Sequence, residues 1–261
     1  MTDHECLSPS GLEQLPRDTF VRSVEFHPKL ESTQARAMEC AAQPDLPLPL
    51  LVAATRQTSG RGRGVNRWWA ATGALTFSIV LDSNTVDSSD ARLSVVTALA
   101  IRETLADLYP KGHYQLKWPN DVFLNGRKIG GILLEKPTSV PDRIIVGIGI
   151  NVNNSVRQAP ADIRDRAVAL IDAVGRPFML IAVLRDLLQR LESVWSDYNE
   201  GNLQLAETWS PHCRLRGKHV VVLQGTRRAE GTCVGIDDGG HLLLDGPSGL
   251  QSIASGTVVI P

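Results

Sequence analysis

Asn125-Gly126 lies between two short apolar runs, Asp121 to Leu124 and Arg127 to Glu135, and constrains the fold more than any other feature of the chain. Both central positions of a tight hairpin turn tolerate positive φ when they are Asn and Gly, so the two runs are expected as antiparallel strands. Period two then places Lys128, Gly130, Ile132 and Leu134 on one face of the second strand, unless the glycines introduce a bulge that shifts the alternation.

Helical and strand patterns alternate on either side of this hairpin. Ser32 or Thr33 can cap a short helix running through Met38 and Ala42, and Leu50 to Ala54 and Ala74 to Leu81 read as strands. Ser89 to Leu108 reads as a helix with Leu93, Val96, Leu99 or Ala100, and Ile101 on one face, preceded by a serine and an aspartate suited to its N-terminus. Arg143 to Val152 reads as a central strand. Pro177 to Tyr198 reads as a helix turning Leu184, Leu187, Leu188, Leu191 and Trp195 inward. After about residue 214 the pattern changes to short strands, His219 to Leu223, Thr232 to Ile236, His241 to Leu244 and Gln251 to Ile260. Their close spacing between glycine-rich turns is that of a small all-β barrel. The expected division is an N-terminal tail over 1–18 without periodic pattern, a large unit over 19–213 and a small β unit over 214–261.

Bulk properties narrow the function. A chain of 261 residues can bury roughly three quarters of its unfolded surface, and 43% hydrophobic with 21% charged residues is ordinary globular usage. The formal charge of -1 gives no net pull toward nucleic acid or acidic lipid. The N-terminus lacks the basic and apolar regions of a secretory signal, and no apolar run approaches the length of a membrane span, so a cytoplasmic protein without membrane association is expected. Cys6, Cys40, Cys213 and Cys233 are scattered without ligand-like spacing, which fits reduced thiols. Of the 27 basic residues only six are lysines, which draws attention to the positions that hold one.

Chemistry concentrates in three segments. Arg56 to Trp69 carries four arginines and three glycines with no acid. Glycine lets backbone N–H groups approach an oxyanion and arginine supplies forked donors, so the segment suits a polyphosphate or carboxylate; a solvated basic tract is the alternative. Lys117-Trp118-Pro119-Asn120-Asp121 leads into the hairpin, where Asp121 and Lys128 lie on opposite arms, either as a structural salt bridge or as part of a site. In Gly147-Ile148-Gly149-Ile150-Asn151 the alternating glycines strip one strand face of side chains, leaving room for a flat ligand or simply for packing. The P-loop, GxGxxG, HExxH and GxSxG patterns are all absent from the sequence.

Together with Glu31-Ser32-Thr33-Gln34, Gln57 and Lys128-Ile129-Gly130-Gly131-Ile132-Leu133, these segments resemble the biotin protein ligase family in order and approximate spacing from about residue 28 to 153. The C-terminal β unit matches the family's small barrel more loosely. The resemblance implies an α+β fold of the class II aminoacyl-tRNA synthetase and biotin ligase type: a mixed sheet flanked by helices, plus a small C-terminal SH3-like β-barrel. It implies an enzyme that uses ATP, with Mg2+, to convert biotin to biotinyl-5'-AMP and then biotinylates a lysine of the biotin carboxyl carrier domain of a biotin-dependent carboxylase.

By the same resemblance Ser32, Thr33, Gln34, Gln57, Arg61, Gly62, Arg63, Lys128, Gly131, Ile132 and Leu133 bind biotin. Arg61, Arg63, Trp68, Lys117, Asn120, Asp121, Lys128 and Asn151 bind ATP or the adenylate, with Arg63 and Lys128 as the catalytic residues and no protein ligand assigned to the metal. Two departures stand out: Gln34 occupies a position where the family usually has Asn, and Gly64-Val65-Asn66 replaces a common x-Gly-Arg, which displaces a glycine by one and removes a positive charge. Fewer than 30 residues precede the first motif, too few for the DNA-binding domain some relatives carry, so a monofunctional ligase that does not bind DNA is expected, with a homodimer left open.

The chemistry fits these groups. A carboxylate attacking the α-phosphorus of ATP brings two anions together, and fixed cations offset their repulsion. The carboxylate is already ionised near neutral pH, so the first step needs no general base. The mixed anhydride needs shielding from water, and the loop over residues 60 to 68 is the candidate lid, its end anchored on the ligand by Trp68 or Trp69 or those rings simply packed in the core. A lipoyl or octanoyl ligase shares the acyl-transfer logic, and the Arg-Gly loop with KWPND weighs against it. A nucleic-acid-binding module is disfavoured by the near-zero net charge and by a barrel without aromatic residues.

Overall fold

The computed structural model describes residues 7–83, 90–247 and 249–260. Ser8 caps the first helix, α1 (Pro9–Asp18), by accepting from the Gly11 N–H. Where the sequence reading has a tail, Leu12 and Leu15 of α1 are buried in the main core. Two prolines mask this helix in the sequence: Pro9 sits in the first turn, where no N–H is needed, and Pro16 sits near the end.

The chain continues through β1 (Ser23–His27), α2 (Thr33–Ala41), β2 (Leu50–Ala54), β3 (Ala74–Asp82), α3 (Asp90–Leu108), β4 (Tyr114–Lys117), β5 (Asp121–Leu124), β6 (Arg127–Glu135) and β7 (Arg143–Asn151). Ser32 is the N-cap of α2, as expected. The expected start of α3 at Ser89 lies outside the described residues. The seven strands form one mixed sheet in the order β1-β2-β3-β7-β6-β5-β4, parallel only between β1 and β2. The β5–β6 hairpin turns at Asn125 and Gly126 with φ of 50° and 80°. Two short helices, α4 (Ala161–Arg164) and α5 (Leu170–Val174), precede α6 (Leu180–Asn199), in which Leu184, Leu187, Leu188, Leu191 and Trp195 are all buried.

The pleat sorts residues between the two faces of the sheet. Leu75, Phe77, Ile79 and Leu81 of β3, with Ile144, Val146, Ile148 and Ile150 of β7, face the large core shared with α1, α3 and α6. The opposite face carries α2, whose Ala37, Cys40 and Ala41 pack on Leu50, Val52, Val80 and Ile145. Along this face α2 stops short, and the strip bearing Ser78, Gly147 and Gly149 is left to line a cleft.

After α7 (Leu205–Trp209), the strands β8 (His219–Gln224), β9 (Arg227–Ile236), β10 (Leu242–Gly246), β11 (Gly249–Ile253) and β12 (Thr257–Val259) make a five-stranded antiparallel sheet in the order β11-β10-β9-β8-β12. The single strand expected over Gln251 to Ile260 is two strands, separated at Gly256, whose φ is 142°. The run expected from Thr232 begins five residues earlier, because the Gly225 turn lets Arg227 to Gly231 pair with β8. The two sheets are joined by a buried bond from Trp118 Nε1 to the Gly240 carbonyl at 2.9 Å, and residues 213 and 214 run beside β4, covering part of the edge of the larger sheet. Cys40, Cys213 and Cys233 are free thiols, and Cys6 lies outside the described residues.

Candidate active site

A cleft opens on the α2 face of the large sheet. Its lining includes Ser32, Thr33 and Gln34 at the start of α2, Gln57 and the loop residues Arg61, Gly62, Arg63 and Trp68, then Lys117, Asn120 and Asp121, and Lys128, Gly131, Ile132 and Leu133. Four separate stretches of sequence thus meet there. Asn151 is on the same strand face but does not line the cleft, because its amide oxygen accepts from Asn154 Nδ2 at 2.9 Å and it is buried.

The α2 end is a closed polar network. Gln57 Oε1 accepts from the Thr33 N–H at 2.7 Å, satisfying one of the helix's orphan donors. Ser78 Oγ lies 3.0 Å from both Thr33 Oγ1 and Gln34 Oε1, and Gln34 Nε2 donates to the Leu133 carbonyl at 3.5 Å. Gln34 lies directly over Gly147, where an added Cβ would overlap its amide oxygen.

The arginine loop is a small hairpin. Gly62 N–H donates to the Asn66 carbonyl and Trp68 N–H to the Gly60 carbonyl, both at 2.9 Å. A Cβ at Gly60 would stand 2.5 Å from the Trp68 carbonyl oxygen, so a side chain there would push the two arms apart. The tip is tightened by Asn66, whose side chain donates to the Arg63 carbonyl, and by Gly64 at a φ of 61°. The displaced glycine therefore falls where the turn needs a left-handed residue. Arg61 pairs with Glu135 at 2.8 Å, and Arg63 Nη1 donates to the Gly256 carbonyl at 3.1 Å.

Lys128 owes its position to a bulge. Val122 pairs with Gly130 but Phe123 pairs with Lys128, so Ile129 is the extra residue. The expected sharing of a face by Lys128, Gly130, Ile132 and Leu134 is thereby corrected: Lys128 stands with Gly131, so close that a Cβ on Gly131 would be 3.2 Å from its Nζ. Lys128 Nζ lies 2.5 Å from Asp121 Oδ1 and 5.8 Å from the centre of the Trp68 ring, a cation–π geometry. The Trp68 indole occupies the space over Gly149, where an added Cβ would lie 2.5 Å from it, and its buried Nε1 has no partner. Lys117 is held below the usual lysine range, first by burial and then by the nearby Lys128 and Arg214 cations, with Asp121 opposing. Asn120 brackets Ile132 by donating from Nδ2 to its carbonyl at 2.8 Å and accepting from its N–H at the Asn120 carbonyl.

Sequence reasoning missed Ser78, Asn66, Thr257 and Val258 in the lining. Ser78 sits in a mostly apolar strand with no motif around it. Thr257 and Val258 arrive from the C-terminal sheet, and no pattern in the sequence points to that approach. The polarity of Ser78 in a largely buried strand is the available signal, and Thr76 two residues before it shares that signal.

The chain has counterparts among known proteins. Residues 27–151 match the biotin/lipoate A/B protein ligase family, and residues 216–260 match the biotin protein ligase C-terminal domain. A biotin–[acetyl-CoA-carboxylase] ligase of Mycobacterium tuberculosis is 32% identical over 99% of this chain and 99% of its own length. The corresponding ligase of Paracoccus denitrificans is 31% identical over 88% of this chain and 97% of its own. The structure of an Aquifex aeolicus biotin protein ligase in complex with biotin and ATP superposes with a TM-score of 0.80 at 30% identity, covering 91% of this chain and 98% of that one.

Proposed function

Because the chain belongs to the biotin protein ligase family, we propose that its cleft seats biotin beside the start of α2 and ATP beside the Trp118 turn, with Arg61, Arg63 and Lys128 between them. The protein is an ATP-dependent biotin–protein ligase. A biotin carboxylate oxygen bonds to the α-phosphorus of ATP as the bond to pyrophosphate breaks. The amine of an acceptor lysine on the biotin carboxyl carrier protein then attacks the acyl carbon, forming the amide and releasing AMP and a proton.

The observation that carries the reading is the meeting of Arg61, Arg63 and Lys128, from two distant segments, in a cleft whose other end is a buried amide–hydroxyl network. In the free chain Arg61 is matched to Glu135 and Lys128 to Asp121, so both side chains are already aimed when the anions arrive. Burial lowers the Lys117 pKa, and a neighbouring phosphate would favour its charged form. Asn120 and Asp121 line the nucleotide side, Trp68 presents a flat ring to it, and Asn151, engaged with Asn154, supports the end of β7. Gln57, Gly62, Gly131, Ile132 and Leu133 form the walls around biotin. The unit over 19–213, with α1 packed into its core, acts as the catalytic unit, and the module over 214–261 adds Thr257 and Val258 to the wall.

Mg2+ would accompany ATP and neutralise phosphate charge. Asp121 is the only carboxylate among the described residues lining the cleft, and no group of three or more metal-ligating side chains occurs among the described residues. The donor set therefore suits an ion held mainly by phosphate oxygens and water.

The test is direct. The pure protein is incubated with ATP, Mg2+, a carrier domain and labelled biotin or lipoate. Label should pass from biotin to the carrier with stoichiometric pyrophosphate release, and preferential transfer of lipoate would overturn the biotin assignment.

A further inference from the structure

Ser78 and Gln34 fix the direction of every proton in the network at the start of α2. Ser78 is completely buried, and Thr33 and Gln34 are each 3% exposed, so these bonds are shielded from bulk water. The Gln34 amide has two orientations, and the Leu133 carbonyl selects between them. With Nε2 toward Leu133 a hydrogen bond forms, whereas the reverse would set two acceptors face to face. Gln34 Oε1 therefore points to Ser78 and can only accept.

A serine hydroxyl carries one proton, so the Ser78 proton goes to Gln34. The 3.0 Å contact between Ser78 and Thr33 must then use the Thr33 proton. The Thr33 N–H is already engaged with Gln57. What Thr33 has left for the cleft is an oxygen lone pair.

Resting on the biotin ligase reading, we infer that Ser78 and Gln34 are positioning residues that lock the Thr33 hydroxyl as a hydrogen-bond acceptor, so that the cleft demands a ligand N–H at this point. A cyclic urea presents such an N–H beside its carbonyl; a dithiolane ring presents none. A buried acceptor left without its donor rejects the ligand that fails to supply one far more strongly than a missing methylene would. Gln34, in the position usually held by the shorter Asn, spans from Ser78 to Leu133 across Gly147 and supplies the fixed end of the chain of bonds.

The experiment compares biotin with its two carbamate analogues, in each of which a ring oxygen replaces one urea N–H, by calorimetric titration. The unaltered chain should bind one of the analogues about 100-fold or more weakly than biotin, because two acceptors then oppose each other. In Ser78→Ala the Thr33 hydroxyl can turn its proton outward. Biotin affinity should fall about tenfold and the discrimination against that analogue should shrink to about tenfold or less. A merely structural role would weaken all three ligands alike, and an unchanged ratio overturns the proposal, as would equal binding of all three by the unaltered chain. If Ser78→Ala is too unstable to titrate, Thr33→Val keeps the shape and removes the acceptor. It should bring the ratio close to one, and a retained ratio there is equally fatal. Failure of the folded, unaltered chain to bind biotin at all would instead remove the ligase reading on which this rests.

Discussion

Lys128 reaches the cleft because β6 carries one residue more than β5 can pair. Without the extra residue at Ile129 its side chain would turn into the helical core; with it, the ammonium meets Asp121 and the Trp68 ring. Replacing it with alanine removes the cation expected at the carboxylate and α-phosphate, and pyrophosphate release in Lys128→Ala should slow by about 100-fold or more. A rate within a few fold of the unaltered enzyme would end its assignment. Glu25 acts on stability instead. The Arg36 guanidinium, with lesser help from His27 and Cys40, lowers its carboxyl from 4.5 to about 2 against the cost of burial. A depressed folded-state value means that Glu25 contributes stability above the ordinary carboxylate range and loses it as pH falls toward 2. The stability gap between the unaltered chain and Glu25→Gln should accordingly be full at about pH 6 and narrow steadily below pH 4.5 in urea titrations. Of the site's individual residues, those inside motifs are legible in the sequence: Ser32, Thr33, Gln57, Arg61, Arg63, Lys117 and Lys128 all line the cleft. Ser78 is not, because its meaning comes from partners 44 and 45 residues away.

Among the elements, the most legible are those with local causes. Asn125-Gly126 favours one tight turn, and α6 carries a complete apolar stripe. The illegible ones are equally physical. β1 has no alternation because all five of its residues are half-buried, and α1 is broken up by prolines that its position in the fold tolerates. Leu15 tests whether α1 belongs to the core. It is fully buried there, so Leu15→Ala should cost about 2–5 kcal/mol in denaturant unfolding, where a surface tail would lose almost nothing. The loop over 60–68 is legible as cationic but not as a hairpin, since its closing bonds depend on which carbonyls the Gly62 and Trp68 N–H groups meet.

The whole molecule adds the join between its two sheets. Arg63 reaches across to the Gly256 carbonyl, and Gly256 sits at a φ of 142°, where a side chain would also run into Val222. The loop is thus tied to the C-terminal sheet as well as by its own closing bonds. Arg63→Gly should release that tie, and the activated biotin should escape before transfer. Bystander proteins mixed with the variant, ATP and biotin should become labelled, and labelling confined to the carrier would argue that Arg63 does not retain the intermediate.

The pleat of β3 and β7 divides labour letter by letter. Leu75, Phe77 and Ile79 on one strand and Val146, Ile148 and Ile150 on the other look toward the helices, while Ser78, Gly147 and Gly149 look toward the cleft. A library of substitutions along these two strands would therefore split into interleaved classes. One class would be found by a screen for soluble, intact protein and the other by a screen for labelled carrier, and the two screens would strike alternate positions of the same strand.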